Sequence, residues 1–89
     1  MAHFDGSLHG VAEAAVYAAT PDALYQLGLQ YSLGRDVETD LVAAHKWLNI
    51  AAMRGNSEAR RMRGEIASEM SREEIALAQR EAREWLRRH

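Results

Sequence analysis

Apolar residues recur along this chain at three- and four-residue spacing, and no segment sustains the two-residue alternation of a strand. The pattern predicts five helices. The first covers about 8–19 behind a Ser7 cap, with Leu8, Val11, Ala15 and Ala18 on one face. The second covers about 21–33. Thr20 caps it, Pro21 opens it where its missing N–H removes nothing from the helix ladder, and Gly34 stops it. The third covers about 40–54, capped by Asp40 or Thr39. Leu41, Ala44, Trp47, Leu48 and Ala51 form its stripe, and Gly55 is its left-handed terminator. The fourth covers about 57–70, capped by Asn56 or Ser57, with Ala59, Met62, Ile66 and Met70 in line. The fifth, about 72–88, opens on a Ser71/Glu74 capping box. Ile75, Ala78, Ala82 and Trp85 share one of its faces, and Glu84–Arg88 is a favourable pair on another. The connecting turns are short, so neighbouring helices are expected to pack antiparallel.

The pattern also repeats. A shift of 36 positions lays Ala51–Ala59 on Ala15–Ala23, His45 on His9, Gly64 on Gly28 and Ser68 on Ser32. A period of this length marks stacked helix pairs. The expected fold is therefore all-α, a short right-handed α–α superhelix of about five antiparallel helices. Residues 1–7 are expected to be a flexible lead-in. Residues 8–89 form one helical-repeat domain: a partial repeat over 8–20, a full repeat over 21–56, and a partial repeat with a capping helix over 57–89. In the second copy Leu24, Tyr25 and Leu27 become Arg60, Arg61 and Arg63. A helix that polar cannot receive a further repeat on its outer side, so the array is expected to end there.

From Ala23 to Ala59, under half the chain, the spacing of particular residues is more specific. Ala23, Leu27, Gly28, Tyr31, Gly34, Val37, Asp40, Ala44, Trp47, Ala51, Ala52, Gly55 and Ala59 fall at fixed intervals. In them the chain resembles the Sel-one-like repeat family, relatives of the tetratricopeptide repeats. Met70 to Trp85 also resembles the terminal helix that often follows such repeats in bacterial proteins. The resemblance implies protein–protein interaction, as scaffolds of complexes and signalling. One residue departs from the pattern: Asp36 stands where the family usually has a positive-φ Gly. Asp tolerates that conformation better than most residues, so the loop is expected to survive. Family members linked to β-lactam hydrolysis carry a Cys pair in each repeat. This chain has no Cys, and the link does not carry over.

The motif has a physical reading of its own. Gly28 mid-helix costs about 1 kcal/mol relative to Ala and is tolerable where another backbone must come close. Ala51 and Ala52 supply a small surface for that approach. Leu27, Tyr31 and Trp47 fill the space around it.

The helix over 21–33 is apolar almost all round, as in a helix buried on several sides or covered by a partner. Leu24, Leu27 and Tyr31 form one stripe. Tyr25, Leu29 and Leu33 form another, flanked by Gln26 and Gln30. This second stripe is either a groove that receives a peptide, a helix or a second protomer, or core covered by the chain's own helices. Trp85 has two readings as well: it pins the last helix onto Met62 and Ile66, or it is an exposed interface anchor.

Charge narrows the partners. The chain carries a net charge of −2, unevenly placed. Residues 1–53 set Arg35 and Lys46 against six acids, whereas 54–89 set nine Arg against seven Glu. Arg60, Arg61 and Arg63, with Arg54, Arg87 and Arg88, are candidate contacts for an acidic partner or RNA. Interleaved Glu58, Glu65 and Glu69 favour a solvated face, which argues against nucleic acid. No apolar run approaches the roughly 20 residues that span a bilayer, and no basic segment precedes an apolar stretch at the N-terminus. With no Cys for a disulfide framework, the expected compartment is the cytoplasm.

His3, His9, His45 and His89 lack metal-ligand spacing, and no nucleophile, acid–base pair or phosphate loop is framed for chemistry. The reading is an interaction module without cofactor or metal, acting as adaptor or regulator. The alternatives are an obligate homodimer or small subunit of a larger assembly, and, third, a nucleic-acid-binding regulator.

Overall fold

A computed structural model describes residues 20–89. The expected lead-in over 1–7 and the expected helix over 8–19 lie outside them. The described residues form four helices and no strand: α1 (Pro21–Leu33), α2 (Leu41–Met53), α3 (Ser57–Ala67) and α4 (Arg72–Arg88).

Each helix starts on a side-chain cap that satisfies an otherwise orphaned N–H. The Ala23 amide donates to Thr20 Oγ1 at 3.0 Å, the Ala43 amide to Asp40 Oδ1 at 3.0 Å, and the Ala59 amide to Asn56 Oδ1 at 2.8 Å. Asp40 and Asn56 are thus the caps, rather than Thr39 and Ser57. At α4 the Glu74 amide donates to Ser71 Oγ at 3.1 Å and the Ser71 amide to Glu74 Oε1 at 2.8 Å, completing the capping box.

α1 and α2 end on left-handed glycines, Gly34 at φ 69° and Gly55 at φ 113°. The amides of Arg35 and Asn56 reach back to the carbonyls of Gln30 and Ala51, both at 3.0 Å, which closes each end as a Schellman turn. α3 stops at Ala67, three residues before the expected end. Ser68 Oγ donates to the Glu65 carbonyl at 2.6 Å. The amides of Glu69 and Met70 turn back only three residues, to Ile66 and Ala67, so the chain tightens out of the α-helix.

The 36-residue period is visible in these details. Thr20 and Asn56 cap equivalent helices. Ser32 and Ser68 both bond the carbonyl three residues back.

α2 is the central helix. It packs against α1, α3 and α4, which is why its buried set, Ala44, His45, Trp47, Leu48, Ile50 and Ala51, runs round more than one face. Leu24, Leu27 and Tyr31 of α1, Ala59 and Ile66 of α3, and Ala82 of α4 complete the core cluster, with Trp85, Met62 and Val37 packed on it. α1 comes closest at Gly28, where a Cβ would lie 2.7 Å from Leu48 Cγ and 3.2 Å from the Leu48 amide nitrogen. Glycine is what permits this approach.

Antiparallel packing of all sequence neighbours does not hold. α3 and α4 make no extended contact with each other, and α4 lies along α2 instead. The outer side of α3 presents exposed Arg60, Arg61 and Gly64 and offers α4 no apolar surface to bury. Gly64, the repeat equivalent of Gly28, accordingly faces open space.

Candidate interaction surfaces

The two stripes of α1 separate by burial. Leu24, Leu27 and Tyr31 are buried and belong to the core. Tyr25 and Leu29 are half-buried, and Leu33 is 60% exposed at the end of the helix. Gln26 is exposed and Gln30 half-buried. The second stripe is graded, from a Tyr25 that packs partly onto the core to a Leu33 open to solvent. The helix period brings these positions onto one side of α1, while α2 and the start of α3 determine how far each is covered.

Two shallow depressions border this side. One is lined by Gln26, Leu29, Gln30 and Arg35. The other lies between α1 and the turn into α3, where Asp22, Tyr25 and Gln26 face Gly55, Asn56, Ser57 and Glu58. Asn56 holds the second together: its Nδ2 donates to Asp22 Oδ1 at 3.0 Å while its Oδ1 caps α3. Arg35 and Asn56 are lining residues that sequence reasoning missed. Both lie in turns, where spacing says nothing about which surface a side chain joins. Met53, 63% exposed at the end of α2, was also missed, because it lies off the stripe of Leu41, Ala44, Trp47, Leu48 and Ala51.

The arginines of α3 do not form one open patch. Arg61 is held between Glu58 and Glu65, each at 2.7 Å, and the hydrogen bonding it donates to Glu58 is the main cause of its raised pKa. Arg63 donates to Asn49 Oδ1 on α2. Arg54 lies over the Trp85 ring, 5.1 Å from its centroid. Arg60 is exposed. On α4, Arg87 and Arg88 are exposed, and the expected Glu84–Arg88 pair is not formed: the ion pairs among the described residues are the two of Arg61.

Trp85, like Met62, is packed on the core cluster that includes Ile66. It meets Trp47 of α2 edge-on, with centroids 5.5 Å apart, because α4 crosses α2 rather than α3. His89 stacks on Trp85 at 4.4 Å, and Lys46 lies over Trp47 at 4.3 Å. Trp85 is half-buried, an intermediate between core and free anchor.

The motif residues act as structure. Leu27, Gly28, Tyr31, Ala44, Trp47 and Ala51 are buried, and Ala52 is half-buried. Gly34 and Gly55 turn the chain, and Asp40 caps α2. Asp36 adopts φ 67°, a left-handed conformation that favours Gly. Among the described residues no three His, Cys, Asp or Glu side chains converge as metal ligands, and no helix is long and apolar enough to cross a membrane. His3 and His9 lie outside the described residues. No family model matches the chain, and no curated protein or solved structure matches it either.

Proposed function

We propose that this chain is a Sel-one-like helical-repeat module that binds a protein segment along the open side of α1, as an adaptor or regulator. The observation that carries the reading is the exposure gradient of Tyr25, Leu29 and Leu33. Leu33 leaves a large apolar side chain 60% in water, next to a depression edged by Gln26, Gln30 and Arg35. A short apolar segment bordered by amide and guanidinium donors is the shape of a peptide or helix docking edge. The family part of the reading is supported by what the motif residues do. Gly28 admits Leu48, Asp40 caps α2, and Gly34 and Gly55 turn the chain. The cysteine-free composition is in keeping with a reducing compartment such as the cytoplasm.

The test is Leu29→Asp combined with Leu33→Asp. The expected result is loss of co-purifying protein with helicity and melting retained. Unfolding of the variant would make these residues core and overturn the reading. Light scattering of the unmodified chain adds a second discrimination. If the chain is a dimer at low micromolar concentration and the variant is a folded monomer, the α1 edge joins two copies and no adaptor role follows.

A further inference from the structure

Among the described residues, His45 is the buried polar residue of the core, 3% exposed on the central helix α2. Its Nδ1 is sequestered from solvent with no hydrogen-bond partner. The charged group set against it is Arg63 of α3, whose guanidinium is bonded to Asn49, one turn beyond His45 on α2. Among the described residues, α1 and α4, the other helices packed on α2, bring no charged group that acts on the ring. On α2 itself, Lys46 lies over the Trp47 ring.

A neutral imidazole fits this place and an imidazolium does not. Protonation makes both ring nitrogens donors. It places a second cation beside Arg63, in a site where no carboxylate answers it. Burying a charge without a partner is among the costliest changes a small core can suffer.

We propose that His45 is a proton-sensitive latch on the α2–α3 packing: taking up a proton displaces Arg63 from Asn49 and loosens α3 from α2. Two features of the fold make α3 the element that yields. Arg63 is its polar tie to α2, and α4 does not brace it from behind. The start of α3 walls the depression beside Tyr25. Loosening it therefore dismantles that end of the α1 edge, a consequence that rests on the proposed binding role, whereas the latch itself does not.

The direction in pH follows from the site. Burial first, and Arg63 second, hold the His45 pKa below its ordinary 6.5, with a smaller opposing effect from its own backbone. A histidine lowered on folding contributes stability that is fully present above the unfolded pKa. That stability is lost as pH falls toward and through the folded value, because the opened chain binds the proton more readily.

Hydrogen exchange of the α3 amides, corrected for intrinsic chemistry, tests the latch between about pH 8 and about pH 5. The expected result is an acceleration of about tenfold on acidification for each unit by which the pKa is lowered. It should be larger in α3 than in α1, absent in His45→Gln and reduced in Arg63→Gln. Flat exchange in α3, or an acid step that survives His45→Gln, overturns the proposal. Should His45→Gln fail to fold, an NMR titration of the unmodified chain decides. A ring that titrates below 6.5 in step with α3 resonances supports the latch, and one that titrates at or above 6.5 overturns it.

Discussion

The indole of Trp85 stands on that of Trp47 at 82°, edge to face, and in doing so joins the last helix to the central one. The geometry is the one favoured by aromatic quadrupoles. It adds to the hold on α4, whose buried residues are the small Ala78 and Ala82. Ala82, fully buried one turn earlier, lets the helix come close enough for the rings to meet.

Removing the ring should free α4. Trp85→Ala is expected to cost about 2 kcal/mol, below the range for a wholly buried aromatic because Trp85 is half-exposed. Trp85→Phe should retain more than half of that. Urea denaturation measures both, and an unchanged midpoint for Trp85→Ala would mean that α4 is held some other way.

The two repeat-equivalent glycines should respond in opposite directions. Gly28→Ala places a methyl against Leu48 and its backbone, an overpacking of about 1–3 kcal/mol that outweighs the helix-propensity gain of about 1 kcal/mol. Gly64→Ala meets nothing and should stabilise by up to about 1 kcal/mol. Thermal melting of the two variants beside the unmodified chain checks the contrast. A similar shift in both would contradict the assigned packing.

Asn56 has two roles where Thr20 has one. Thr20→Ala loses a cap, about 1 kcal/mol. Asn56→Ala loses a cap and the link to Asp22, and should be worse by about 0.5 kcal/mol. Asp22→Ala in the Asn56→Ala background should then have almost no further effect, which a double-mutant cycle reads directly.

Asp36→Gly should stabilise, by about 0.5 kcal/mol, because the residue already sits at φ 67°. Gly34→Ala, at φ 69°, should destabilise by more than about 1 kcal/mol. Denaturant midpoints distinguish the two, and a destabilised Asp36→Gly would show that the aspartate side chain itself holds the loop.

The local order of this protein was legible in its residues. Caps, glycine stops and helix starts depend on atoms a few positions apart. Thr20, Asp40 or Thr39, Asn56 or Ser57, and Ser71 therefore announced four helices, and Gly34 and Gly55 their turns. A glycine in mid-helix likewise marked Gly28 as a point of close approach, and helix spacing placed Leu24, Leu27 and Tyr31 on one stripe.

What periodicity could not carry was the choice of partner for each face. Trp85 has the same spacing whether it packs on α3 or α2. Only the competition between an arginine-bearing α3 surface and the apolar α2 surface sends it to Trp47. The same holds for Leu29 and Leu33, whose stripe is continuous in sequence and uneven in exposure. It holds too for His45, whose ring is buried with Nδ1 unbonded only when three helices close on α2. Hydrogen bonds to near neighbours are settled along the chain, whereas burial is settled by whichever distant surface arrives.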